Sequence, residues 1–351
     1  MLQSAQYVSV LFSKRAEIKA LKHLDKATRD RLFPVVGVRP WPNAKQLTAI
    51  EDRLADAFGG YRYGCDLDTA KRGFVNCHPA AEQFEALFQP ENAFRNYYDF
   101  VASVQERVPV LRADGSGFTQ IENQLGIATE LGRGLVIRLQ PNSGINLQDV
   151  LHTGLLVPDD VLFVVDAGWS LDVLSQEFWM SSRISEITDW DNSVDVVAMS
   201  SSFPNSFSHI DKKGHFLIDD RELFNRLVIR HNAAKLVYGD WGSTRLSEEQ
   251  GGGTHYDRID TARSNDWISY RQTDTDVGYA VLAQRAKDDA AWATLPDCWG
   301  KHVIDCTALD IPGKISGTES AIAARVNMHL TAQANLGLSV PVADEPYIDP
   351  F

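Results

Sequence analysis

The sequence predicts an α/β protein built as a (β/α)8 TIM-like barrel with an added C-terminal hairpin and helix. Three observations predict it. Short β-branched runs bounded by turn residues recur along the chain, and nearly every one is followed by a longer stretch with apolar residues at helical spacing. The strand-then-helix units number about eight, the count that closes a barrel. After the first strand stands SKRAE, where an open dinucleotide-binding sheet would usually carry a G-x-G-x-x-G turn.

The first strand is Tyr7 to Phe12, with Ala16, Ile18, Ala20, Leu21 and Leu24 marking the helix after it. The second, Phe33 to Arg39, is stopped by Pro40 and Pro42, and Leu47, Ile50, Leu54 and Phe58 follow at a 3.6-residue period. The third is Tyr61 to Asp66; the apolar residues from Phe84 to Val104 predict two helices broken near Pro90. The fourth, Val108 to Arg112, leads to a helix from Phe118 to Leu131 that Gly132 and Gly134 end. The fifth is Leu135 to Leu139, with a helix near Leu147 to Leu155. The sixth, Val161 to Asp166, reads as a fully buried strand, and a helix from Leu171 to Ile187 follows it. The seventh is Val194 to Met199, and a helix from Arg221 to His231 precedes the eighth, Lys235 to Gly239.

Beyond the eighth strand the pattern changes, which predicts a barrel core over 1–246, added elements over 247–338 and an extended tail over 339–351. Ser247 to Arg263, with three consecutive glycines, reads as a loop. Trp267 to Gln272 and Gly278 to Gln284 read as a hairpin with Asp274 to Asp276 in its turn, and Gly317 to Leu336 as a closing helix.

Composition bounds the function. In 351 residues, 44% hydrophobic and 23% charged, the apolar runs are strand-sized and far short of the roughly 18 residues a membrane span needs. The N-terminal stretch has no basic start leading to a long apolar run, so the expected location is cytoplasmic. A net charge of −13 without a Lys/Arg run excludes an extensive nucleic-acid surface while leaving a local basic pocket open. Cys65, Cys77, Cys298 and Cys306 have no metal or redox spacing and read as reduced buried thiols. His209, His215, His231 and His255 form no i, i+4 pair, and no P-loop, kinase or EF-hand motif is present.

In barrels the working residues sit at strand C-termini. That rule selects Arg39, Asp66 with Asp68, Arg112 with Asp114, Arg138, Asp166, Ser200 with Ser202, and Asp240. Asp66, Asp166 and Asp240 are the candidate catalytic acids, bases or ligands of a divalent metal; Arg39, Arg112 and Arg138 are candidates to grip an anion. Trp241, between Asp240 and Gly242, suits stacking on a base or sugar, or capping the barrel. The same charges can instead neutralise one another as a ring of ion pairs. The serine-rich stretch from Ser200 to His215 reads as a turn, for it has no G-x-S-x-G elbow.

The run Tyr7-Val8-Ser9-Val10-Leu11, then Lys14, Glu17, Ala20-Leu21, Leu24 and Phe33-Pro34-Val35, resembles the opening of the Beta protein family of bacteria and phages. Asp66, Gly239-Asp240 and Ile268-Ser269-Tyr270 extend the resemblance along the chain. It implies a barrel-like fold and a phage or anti-phage defence setting, and it marks Glu17, Asp66 and Asp240 as matching positions. After Pro34 this chain reads Val35-Val36-Gly37-Val38-Arg39 where the family tends to place an acid, which weighs against a shared metal site. Two functions are expected from these residues: hydrolysis of a phosphorylated or nucleotide-like small molecule, or sensing and adaptor binding of a protein or nucleotide without turnover. A structural oligomer is a third reading.

Overall fold

The structure is a computed structural model and describes residues 5–72, 79–112, 117–244, 256–272 and 277–337. In chain order it opens with β1 (Tyr7–Phe12), α1 (Arg15–Lys22), α2 (Lys26–Arg29), β2 (Leu32–Val38), α3 (Ala49–Phe58), β3 (Tyr63–Leu67), α4 (Pro79–Ala86) and α5 (Glu91–Ala102). Next come β4 (Arg107–Pro109), α6 (Phe118–Leu131), β5 (Leu135–Leu139), α7 (Leu147–Leu151), β6 (Val161–Trp169), α8 (Glu177–Trp190) and β7 (Asp195–Ser201). The remainder is β8 (Lys212–Leu217), α9 (Asp219–Arg230), β9 (Lys235–Asp240), β10 (Arg258–Ala262), β11 (Asp266–Arg271), α10 (Gly278–Asp288), α11 (Trp299–Leu309) and α12 (Thr318–Ala334). No helix among the described residues is long and apolar enough to cross a membrane.

The elements fall into two compact units that interleave in sequence. The first comprises the described residues up to Ser13, Phe33–Ser202 and Asp219–Trp241; the second comprises Lys14–Leu32, Phe203–Ile218 and the described residues from Gly242 on.

Eight parallel strands in the order β4-β3-β2-β1-β9-β7-β6-β5 make the sheet of the first unit. Its end strands meet through a parallel bridge between Val110 and Val136, with Leu111 N donating to Val136 O at 2.9 Å. The sheet is therefore barrel-like and nearly closed. Val8 and Val10, Phe33 and Val35, Val108 and Val110, Val136, Leu162 and Val164, and Val197 and Met199 form one buried cluster with Trp241. These are alternate residues of their strands, so they define the inward face. Glycine completes the series where space runs out: a Cβ on Gly64 would meet Val35 Cγ2 at 3.0 Å, and one on Gly239 would meet Val197 Cγ1 at 2.7 Å.

Helices of this unit follow β2 to β7, with β8 intervening before α9. Strict alternation fails at its two ends, because the helix after β1 belongs to the second unit and β9 leads out of the first unit at Trp241.

The second unit holds an antiparallel sheet in the order β10-β11-β8, with α1, α2 and α10 to α12. Its core joins Phe203, Phe207, Trp267, Trp299, Leu282 and Met328. Here the structure corrects three expectations. Trp267 to Gln272 does enter a hairpin, but its partner is β10, inside the stretch read as a loop. Gly278 to Gln284 is helical, and β8 occupies part of the stretch read as a serine-rich turn. The turn at 274–276, the loop residues 247–255 and the tail at 339–351 lie outside the described residues.

Candidate functional site

Continuing each inward series one step toward the strand C-termini gives Asp66 after Gly64, Arg112 after Val110, Arg138 after Val136, Asp166 after Val164 and Trp241 after Gly239. Side-chain bonds join all five. Asp66 Oδ1 accepts from Arg112 Nη1 at 2.8 Å, and Asp66 Oδ2 from Arg138 Nη1 at 2.8 Å. Arg138 also donates to Asp166 Oδ2 through Nε at 2.8 Å and Nη2 at 2.6 Å. Trp241 Nε1 donates to Asp166 Oδ1 at 3.1 Å. Burial works against the Arg138 charge, but the Asp166 and Asp66 carboxylates outweigh it and hold its pKa above the ordinary guanidinium value.

Two guanidiniums and two carboxylates balance in charge, which lets them sit at the end of an apolar interior. The Asp166 carboxylate is closed by five donors: Gly168 N, Trp241 Nε1, Arg138 Nε and Nη2, and Gln140 Nε2. Asp66 accepts from three, Leu67 N, Arg112 Nη1 and Arg138 Nη1. Arg39, two residues after Gly37 and just past the end of β2, is paired with Asp68 at 3.3 Å, its side chain 21% exposed. Its backbone N–H donates to Ser13 Oγ at 2.9 Å, fixing the strand end that carries it.

Trp241 is 2% exposed, with Phe12 edge-on at 6.3 Å and the Arg138 guanidinium 5.7 Å from its ring centre. It walls the network, as a capping residue does. Asp114 lies outside the described residues.

Asp240 belongs elsewhere. It is one residue out of step with Gly239 and pairs across the sheet with Ser9, so its side chain is on the outer face. There it accepts from the Tyr7 hydroxyl in a short bond and from Ser9 Oγ at 3.4 Å. Burial first, then the Asp240 carboxylate, pushes the Tyr7 phenol well above its ordinary value. Ser200 and Ser202 lie in this outer group too, donating to Asp220 at 2.8 and 2.9 Å. Burial, with a contribution from Asp240, pushes the Asp220 carboxyl up to about 6 against the pull of the serine hydrogen bonds. Glu17, the third position marked by the resemblance, is buried on α1 in the second unit with Lys14 Nζ at 3.6 Å.

Among the described residues no group of three or more His, Cys, Asp or Glu side chains gathers to hold a metal ion. His215 pairs with Asp266, His231 with Ser181 Oγ, and His209 lies edge-on to Phe216. Cys65, Cys298 and Cys306 are buried; Cys77 and His255 lie outside the described residues. A small cleft lined by Leu125, Ala128, Leu135, Leu155, Val157 and Val161 lies at the N-terminal ends of β5 and β6 and contains none of the charged network.

Sequence reasoning missed Gln140, Trp169, Asp220 and Tyr7. Gln140 had a signal, standing two residues beyond Arg138 on the same face. Trp169 had none, because its aim depends on an irregularity in β6 that only strand pairing reveals.

The comparisons with known proteins agree along nearly the whole chain. The family model described as Beta protein matches residues 7–335. "Protein beta" of Enterobacteria phage P4 is 24% identical over 346 residues, covering 95% of this chain and 94% of the relative. The match reaches from β1 to the end of α12 and so takes in strands and helices of both units. The chain belongs to the Beta protein family.

Proposed function

We propose that the first unit is a TIM-type barrel that binds a small anionic molecule, phosphorylated or nucleotide-like, at the C-terminal ends of its strands. The observation that carries this reading is the fixed guanidinium pair: Arg112 and Arg138 are inward-facing and held in place by Asp66 and Asp166. Donors fixed before a ligand arrives lose little entropy when it binds, and guanidinium geometry suits phosphate oxygens. Arg39, partly exposed beside Asp68, adds a third positive group at the rim.

Binding without turnover, as in a sensor, fits better than hydrolysis. A general base needs a carboxylate with room to take a proton, whereas Asp166 is closed by five donors and Asp240 lies on the outer face. We place this role in a phage setting, as for the relative from phage P4.

The test is thermal unfolding of the purified chain with inorganic phosphate, pyrophosphate, sugar phosphates and nucleotides, since a ligand that prefers the native state raises Tm. At least one of these anions is expected to raise Tm. Arg39→Ala should weaken that ligand about tenfold or more, the worth of a hydrogen bond to a charged group. The reading fails if no phosphate-bearing compound shifts Tm, or if Arg39→Ala leaves the affinity unchanged.

A further inference from the structure

β6 and β7 run in register to Asp166 opposite Met199, and pairing resumes at Trp169 opposite Ser201. β6 thus carries one extra residue between Asp166 and Trp169, with Gly168 at φ 77° inside the bulge and its N–H on Asp166 Oδ1 at 2.8 Å. Without the bulge Trp169 would share the outward parity of Phe163 and Val165. With it, Trp169 stands opposite inward-facing Ser201 and packs, partly buried, against the interior cluster. Re-aiming a side chain is what a bulge does, and a left-handed glycine permits it at low cost.

Beside it, Gln140 Nε2 donates to Asp166 Oδ2 at 3.2 Å. A carboxylate only accepts, so this bond turns the amide oxygen of Gln140 away from Asp166 as an acceptor for an N–H. Arg39 lies just past the C-terminal end of β2, which is four places from β6 in the ring order, and so stands across the mouth. The mouth then offers a flat aromatic and an acceptor on one side and a cation on the other, which matches an extended ligand with a planar nitrogenous ring at one end and an anion at the other.

Resting on the binding reading above, we propose that the ligand is a nucleotide, its base stacked on Trp169 with an N–H donated to Gln140 Oε1 and its phosphate directed to Arg39. Trp169 is the specificity-determining residue. Stacking a base on an aromatic side chain accounts for roughly a tenfold gain in affinity.

Calorimetric titration of the full chain with nucleoside monophosphates, ribose 5-phosphate and inorganic phosphate tests this. Nucleotides should bind about tenfold or more tighter than ribose 5-phosphate. Trp169→Leu should erase that margin with ribose 5-phosphate binding unchanged, and Trp169→Phe should keep part of it. An unchanged ribose 5-phosphate affinity also shows that the variant is folded. The proposal is overturned, with the binding site left standing, if ribose 5-phosphate binds as tightly as the nucleotides or if Trp169→Leu keeps the margin. If no phosphate compound binds at all, both readings fall.

Discussion

Asp66 is the hinge of the inward network because one carboxylate satisfies two guanidiniums that come from different strand ends. Removing it leaves two largely buried guanidiniums with Asp166 as the one carboxylate of the network, so Asp66→Ala should cost roughly 3–5 kcal/mol, read as a lower urea midpoint with unchanged slope. Asp66→Asn should cost less, since its amide oxygen still accepts one of the two. Asp220 on the outer face behaves in the opposite sense. Its folded pKa, pushed up to about 6, exceeds that of an unfolded aspartate, so its contribution to stability is fully present below the unfolded value and is lost as pH rises through about 6. The stability of the wild type relative to Asp220→Asn is therefore expected to fall between about pH 4 and pH 6.5. A difference that stays flat over that window would show that Asp220 titrates normally. At this scale Asp66, Asp166 and Asp240 were legible from sequence as strand-end acids, whereas Asp220 was not. Their separation into an inner and an outer group was legible only in part, since it turns on the one-residue step from Gly239 to Asp240.

Among the elements, α11 and α12 touch so closely that only glycine fits at position 300: an added Cβ would lie 2.2 Å from the carbonyl oxygen of Ala324. Asn327 locks the same contact, accepting from Gly300 N at 2.9 Å and donating to Ala20 O at 3.0 Å. Gly300→Ala should destabilise the chain by about 1–3 kcal/mol or more, because backbone cannot yield as a side-chain tip can; a melting temperature equal to wild type would contradict this packing. The elements that sequence reasoning misread share a cause. In α10 the alternation Tyr279, Val281, Ala283 suggests a strand, whereas the buried set is Leu282, Ala283 and Ala286, a helical face, and Val281 is 43% exposed. β8, with two lysines and a glycine in six residues, has little strand character of its own and exists by pairing with β11. Lysines on such an edge discourage further strand addition.

On the scale of the whole molecule, the chain passes between its units five times, after Ser13, Leu32, Ser202, Ile218 and Trp241. A protein ending at residue 246 would keep α1 and β8 but lose the α12 and β11 they pack on or pair with. It is expected to be insoluble or to unfold at lower denaturant than the full chain, and a stable, cooperative fragment would refute that. The sequence by itself determined the eight parallel strands, the helices between most of them, and the acids and arginines at the strand ends. Those features follow from backbone periodicity and apolar burial, which consecutive residues carry. Tertiary structure decided which face Asp240 takes, where the β6 bulge aims Trp169, how Asp66 and Asp166 share Arg138, and which unit claims α1 and β8. Each depends on a partner tens or hundreds of residues away, whose position no local pattern encodes.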